Sequence, residues 1–141
     1  MGIIGANQYV LSADSTLNQI SYYITDDFSP GRAQAALYAN DAVNNVPTTL
    51  IAQASYTMAV TTLGQWYTQD VPPTYLPAGT YWLAVMEGPN TGNGYGPGLS
   101  QGSAAGGTAY YEDIYSWAFP ATFSGGPNYY KFGIYGIVCH N

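Results

Sequence analysis

Apolar and polar residues alternate with a period of two along most of this chain, and no stretch of eleven or more residues sustains an apolar stripe at helical spacing. The clearest strand is Gly79 to Met86, where Trp82, Ala84 and Met86 fall on one face and Tyr81, Leu83 and Val85 on the other. Both faces are apolar, so this strand is expected at the centre of a sheet covered on both sides. Leu17 to Thr25 alternates through Ile20, Tyr22 and Ile24, and Arg32 to Ala39 through Ala33, Ala35 and Leu37, each a strand with one core face. Leu50 to Gln53, Tyr56 to Thr61, Trp66 to Val71 and Phe132 to Cys139 follow, with weaker strands at Asn7 to Leu11 and Ala109 to Tyr111. The total is about eight or nine strands.

Turn chemistry punctuates the pattern at Ser29-Pro30-Gly31, from Asn40-Asp41 to Pro47, at Leu63-Gly64, at Pro72-Pro73 and at Pro77-Ala78-Gly79. Short strands at such intervals predict an all-β chain, an antiparallel β-sandwich or jelly roll, and no internal repeat suggests a propeller or β-helix. The 141 residues fit a single domain, 1–141, with enough chain to bury a core without disulfides or metals. The rhythm breaks at the Gly-rich loop 87–107, where eight glycines and two prolines fall within Glu87 to Gly107. Loops of that length are functional or disordered, and the functional reading is preferred here.

Composition adds a constraint on the surface. Charged residues make up 7% of the chain and aromatic residues 16%, with 15 tyrosines, so the surface must be built largely from Tyr, Ser, Thr, Asn, Gln and Gly. That chemistry suits recognition of flat polar ligands, although Tyr and Thr also serve simply as strand formers. Arg32 and Lys131 are the two basic residues against eight acidic ones, a net charge of −6. A polyanion would be repelled, which argues against nucleic acid and against anionic lipid, and no apolar run approaches the ~20 residues of a spanning helix. The start Met1-Gly2-Ile3-Ile4-Gly5 carries neither a basic n-region nor an apolar h-region. The expectation is therefore a domain of a larger secreted protein, or a protein assembled inside a cell and released as virion proteins are. Cys139 is the one cysteine. It is expected as a small buried residue of the last strand, with a crosslink between subunits as its other use.

Little catalytic chemistry is available. A Ser-His-Asp device needs a rigidly held histidine, and the one histidine, His140, lies beside Cys139 at the end of the sequence. Neighbouring Cys139 and His140 in a strand would point to opposite faces, and a zinc site lacks ligands. The carboxyls available for glycosidic cleavage are Asp70, Glu87, Glu112 and Asp113, of which the adjacent pair would diverge in an extended chain. Gly92 to Gly98 is followed by no helix pattern and no phosphate-binding lysine. Asp26, Asp27, Asn40, Asp41, Asn44 and Asn45 could offer oxygens to calcium, but their spacing matches no calcium loop and Asp and Asn are ordinary turn formers. No enzyme activity, cofactor or metal is expected.

What remains is aromatic residues in polar surroundings: Tyr95 in the Gly-rich loop, then Tyr110, Tyr111, Tyr115, Trp117, Tyr129 and Tyr130. An exposed ring beside Asn, Gln, Asp or Glu satisfies both the flat C–H face of a sugar and its hydroxyl rim. Trp117, Tyr115, Tyr95, Tyr111 and Tyr129 are the candidate glycan-binding residues. Trp117 has a second reading, as an anchor pinning a long loop, while Trp82 and Trp66 are assigned to the core.

The stretches Ala36-Leu37-Tyr38-Ala39-Asn40-Asp41, Leu50-Ile51-Ala52-Gln53, Trp66, Leu76 to Val85 (LPAGTYWLAV) and Phe132-Gly133-Ile134-Tyr135-Gly136 resemble a diffuse family of jelly-roll modules. These occur in secreted bacterial and archaeal proteins and in phage structural proteins, and the likeness covers most of residues 7 to 138. Its motifs are strand-core and turn signatures. The resemblance implies a non-catalytic sandwich similar in architecture to carbohydrate-binding modules, working as an appended binding domain or at a particle surface, and it transfers no site residue. The expected function is a surface-exposed binding or adhesion module, extracellular or on a virion, whose partner is a polysaccharide or cell-surface glycan. The alternative is a structural subunit of a virion or extracellular filament, with the tyrosines packed against copies of itself or other particle subunits.

Overall fold

The computed structural model describes residues 2–26, 29–90, 96–103, 109–114, 116–128 and 130–141, with the backbone alone for 101–103, 109–114, 128 and 130. Within them the chain is all-β. Its strands are β1 (Gly2–Leu11), β2 (Ser15–Ile24), β3 (Gly31–Asp41), β4 (Val46–Gln53), β5 (Met58–Val60), β6 (Gln65–Leu76), β7 (Gly79–Gly88), β8 (Gln101–Ser103), β9 (Ala109–Ile114), β10 (Gly126–Asn128), β11 (Tyr130–Phe132) and β12 (Ile134–His140). The larger sheet runs β10-β9-β1-β7-β3-β4, with β5 also on β3, and the smaller runs β12-β2-β6. β8 and β11 form a separate two-stranded ribbon. The two sheets pack face to face as an antiparallel β-sandwich.

The double-sided pattern of β7 has the expected consequence. β7 lies between β1 and β3, and both its faces are buried. Leu83 and Val85 join Ala33, Ala35 and Leu37 of β3 and Leu17, Ile20, Tyr22, Ile24 and Ile134 of the smaller sheet in the core between the sheets. On the opposite face, Ala6, Ala84 and Ala36 stand in one cross-strand row beside the paired Trp82 and Tyr38. The small side chains keep this face low, and segment 116–125 lays Phe119 and Phe123 onto it, both edge-on to Tyr38. Backbone bonds from Leu50 N to Ala121 O and from Phe123 N to Thr48 O fasten that strap to β4.

Two buried amides join the layers. Gln69 of β6 accepts from Tyr22 Oη at 3.1 Å and from Ala35 N of the facing sheet at 2.9 Å, and donates to Tyr56 O at 2.8 Å. Asn7 of β1 donates to Phe132 O at 2.5 Å and accepts from Phe132 N at 3.0 Å, while Tyr9 Oη donates to Ile134 O. The interior side chains of β1 thereby take the place of a neighbouring strand for the backbone at 132–134.

Several boundaries differ from the sequence reading. Pro72 and Pro73, expected as a turn, lie inside β6, which is possible because β6 is an edge strand whose pairing with β2 is interrupted between Leu17 and Gln19. The strand expected at Tyr56 to Thr61 contracts to Met58–Val60, and the strand starting at Leu50 begins instead at Val46, straight after the turn that Asp41 organises. Cys139 is exposed rather than buried, because period two along β12, an edge strand, puts it on the outer face with Tyr135 and Ile137.

Candidate functional site

The outer face of the smaller sheet carries a grid of side chains in three cross-strand rows. Trp66 of β6 lies opposite Tyr23 of β2; Thr68 opposite Ser21, which pairs with Tyr135 of β12; and Asp70 opposite Gln19, which pairs with Ile137. Residues two apart along a strand share a face about 7 Å apart, so the grid spans roughly 13 Å along the strands and about 10 Å across them. Trp66 is 51% exposed and Tyr135 43%, and Ile137 is also exposed. The Trp66 ring meets Tyr23 at 5.4 Å and 74° and Tyr135 at 5.1 Å and 62°, so both tyrosines stand steeply against it. Below them Ser21 Oγ and Thr68 Oγ1 are 2.6 Å apart, and Gln19 Nε2 donates to Asp70 Oδ1 at 2.7 Å. The third place in the row of Trp66 and Tyr23 belongs to Gly133, whose backbone oxygen accepts from Tyr23 N. A Cβ there would run into Ser100 Oγ, so glycine is what lets the 98–100 segment close over this corner.

Trp66, assigned to the core by sequence, is therefore a surface residue. The inward residues of β6 are Tyr67, Gln69 and Val71. The signal that could have found this was Asp70, which by period two shares a face with Trp66 and marks that face as the wet one.

Of the five residues singled out by sequence, Tyr95, Tyr115 and Tyr129 lie outside the described residues. Tyr111 belongs to β9, where its backbone pairs with Gly5 and Gly126, and its side chain also lies outside them. Trp117 sits on the far side of the sandwich from the grid, half-buried on the strap. Its Nε1 donates to Thr57 Oγ1 at 2.9 Å, and the Arg32 guanidinium lies 3.9 Å from the ring centroid, with Arg32 Nε donating to Pro89 O. One ring face and the indole N–H are thus engaged within the fold, the geometry of the anchor reading.

The carboxyls are dispersed. Glu87 is buried where β7 ends, 7% exposed, accepting a hydrogen bond from Leu99 N while its Oε2 has no partner among the described residues. Burial pushes its carboxyl up to about 8. Asp41 accepts from Asn44 Nδ2 and from the amides of Val43 and Asn44, and these bonds hold its carboxyl below the ordinary value; of the other calcium candidates, Asp27 lies outside the described residues. Asp14, bonded by Ala78 N and Tyr75 Oη, is held low in the same way. His140 Nδ1 comes within 2.9 Å of Ser15 Oγ, but Ser15 is fully buried and also donates to Ala13 O, so that hydroxyl faces no substrate. Among the described residues no three His, Cys, Asp or Glu side chains gather as metal ligands.

The fold and the grid define a β-sandwich with one sheet face that carries Trp66, Tyr135, Ile137, Thr68 and Asp70 in solvent, above a buried Ser21. Comparison of the chain with protein-family models, with curated proteins and with solved structures finds no match.

Proposed function

We propose that this protein is a non-catalytic binding or adhesion module, working outside the cell or on a virion surface, that recognises glycan through the Trp66, Tyr23 and Tyr135 face of its smaller sheet. The observation that carries the reading is the combination on one sheet face of two exposed rings with hydroxyl, amide and carboxylate groups one or two rows away. A sugar offers the matching pair of surfaces, an apolar C–H face for a ring and hydroxyls for the polar rows. Paired strands of one sheet hold these side chains, so little ordering entropy is lost on binding.

Trp66 is the exposed tryptophan, Trp82 being buried and Trp117 engaged, so intrinsic fluorescence should report on the grid. Titration with the right polysaccharide should shift the emission, and Trp66→Ala and Tyr135→Ala should each weaken binding about tenfold or more while melting stays near native. A broad glycan array that stays silent while the protein assembles into particles or fibres would reject this reading in favour of a structural subunit.

A further inference from the structure

Resting on the glycan reading of this face, we infer that the ligand is an uncharged, soluble glycan chain, and neither an acidic polysaccharide nor the flat surface of a crystalline one. Three observations lead there. The chain has two Lys or Arg residues, and neither is a member of the grid: Arg32 lies over Trp117 on the far side of the sandwich, and the exposed Lys131 has its Nζ 5.7 Å from the centre of the Tyr9 ring. The grid itself contains one charged group, the Asp70 carboxylate. Its Oδ1 accepts from Gln19, and its Oδ2 has no partner among the described residues. A face with an acceptor carboxylate and no cation is complementary to hydroxyl donors and repels uronate, sulfate or sialate groups.

The rings supply the second restriction. A crystalline polysaccharide is a plane, and a protein lying on it needs coplanar rings. Here the rings flanking Trp66 are inclined to it at 74° and 62°, so neither shares a plane with the most exposed ring of the face. A single chain, free to rotate about its linkages, can place one sugar face on one ring and turn its hydroxyl rim toward the polar rows. Spacing allows this, because Tyr135 stands one row, about 7 Å, from the Gln19 and Asp70 row.

The test is calorimetric titration of the full chain with soluble neutral polysaccharides (dextran, mannan, xylan, galactan), with acidic ones (alginate, hyaluronan), and a pull-down on microcrystalline cellulose. At least one neutral soluble chain should bind, with a Kd that changes less than about twofold between about 0.05 and 0.5 M salt, since no ion pair contributes. Asp70→Asn, which keeps the side-chain shape, should weaken that binding roughly tenfold or more, the worth of a hydrogen bond to a charged acceptor. Binding of an acidic glycan in preference to the neutral ones, retention on cellulose with no soluble binder, or unchanged affinity in Asp70→Asn would overturn this inference and leave the glycan reading standing, provided Trp66→Ala still weakens binding. Absence of binding to every glycan would remove both.

Discussion

Asn7 is one of two fully buried amides that tie the sandwich together. Its amide closes both hydrogen-bonding groups of Phe132 across the layers, in a site with no access to solvent. Asn7→Ala leaves a buried N–H and a buried C=O unpaired, and thermal or urea melts should register a loss of about 2–4 kcal/mol. Trp82, fully buried with its Nε1 donating to Asn40 Oδ1 at 2.7 Å, is dominated by packing instead. Trp82→Ala should cost about 3–5 kcal/mol through the cavity it opens, and near-native melting would contradict the central place given to β7. Both residues were legible to different degrees. The apolar neighbours of Trp82 announce a core position, whereas Asn7 sits in a strand where an amide reads as an outward residue until its partner on β11 is known.

At the level of elements, the strap 116–125 and the two edges of the smaller sheet repay experiment. The strap is held by Phe119 and Phe123 on Tyr38, by its pairing with β4, and by the stack of Trp117 with Arg32. Trp117→Ala should lower stability by about 1–3 kcal/mol, quicken proteolytic nicking of the strap, and leave binding at the Trp66 face unchanged. Lost binding with unchanged melting would instead return Trp117 to the ligand-contact role read from the sequence. The edges differ in kind: β6 carries Pro72 and Pro73, which deny hydrogen bonds to an incoming strand, whereas β12 ends with exposed Cys139 and His140. Mild oxidation should therefore yield a disulfide-linked dimer on a non-reducing gel, absent in Cys139→Ser, and that substitution should move reduced-state stability by less than about 0.5 kcal/mol.

Across the whole molecule, stability should peak in mild acid. Glu87 has its carboxyl raised in the fold from 4.5 to about 8, so between those values the unfolded chain gives up a proton that the fold retains. Its contribution is fully present below about pH 4.5 and is lost as pH rises through 8, with a slope of up to about 1.4 kcal/mol per pH unit. Asp14 and Asp41, held below 3.8, act in the opposite sense, their contribution present above that value and lost as pH falls through their lowered range. Melting temperature followed from pH 3 to 9 should rise and then fall, and Glu87→Gln should flatten the alkaline limb; a wild-type curve flat from pH 5 to 8 would count against the buried carboxyl. Local alternation of apolar and polar residues was enough to determine the all-β class and the two-sided burial of β7, because which side chains share a face of a strand is decided within a few residues. Which face turns inward is decided by what packs against it. Pairing across the smaller sheet, the close approach allowed by Gly133 and the return of Pro97 to Leu99 over the end of the core together put Trp66 and Cys139 in solvent and Glu87 out of it. Each of these contacts joins residues far apart in the chain, so only the tertiary structure could set them.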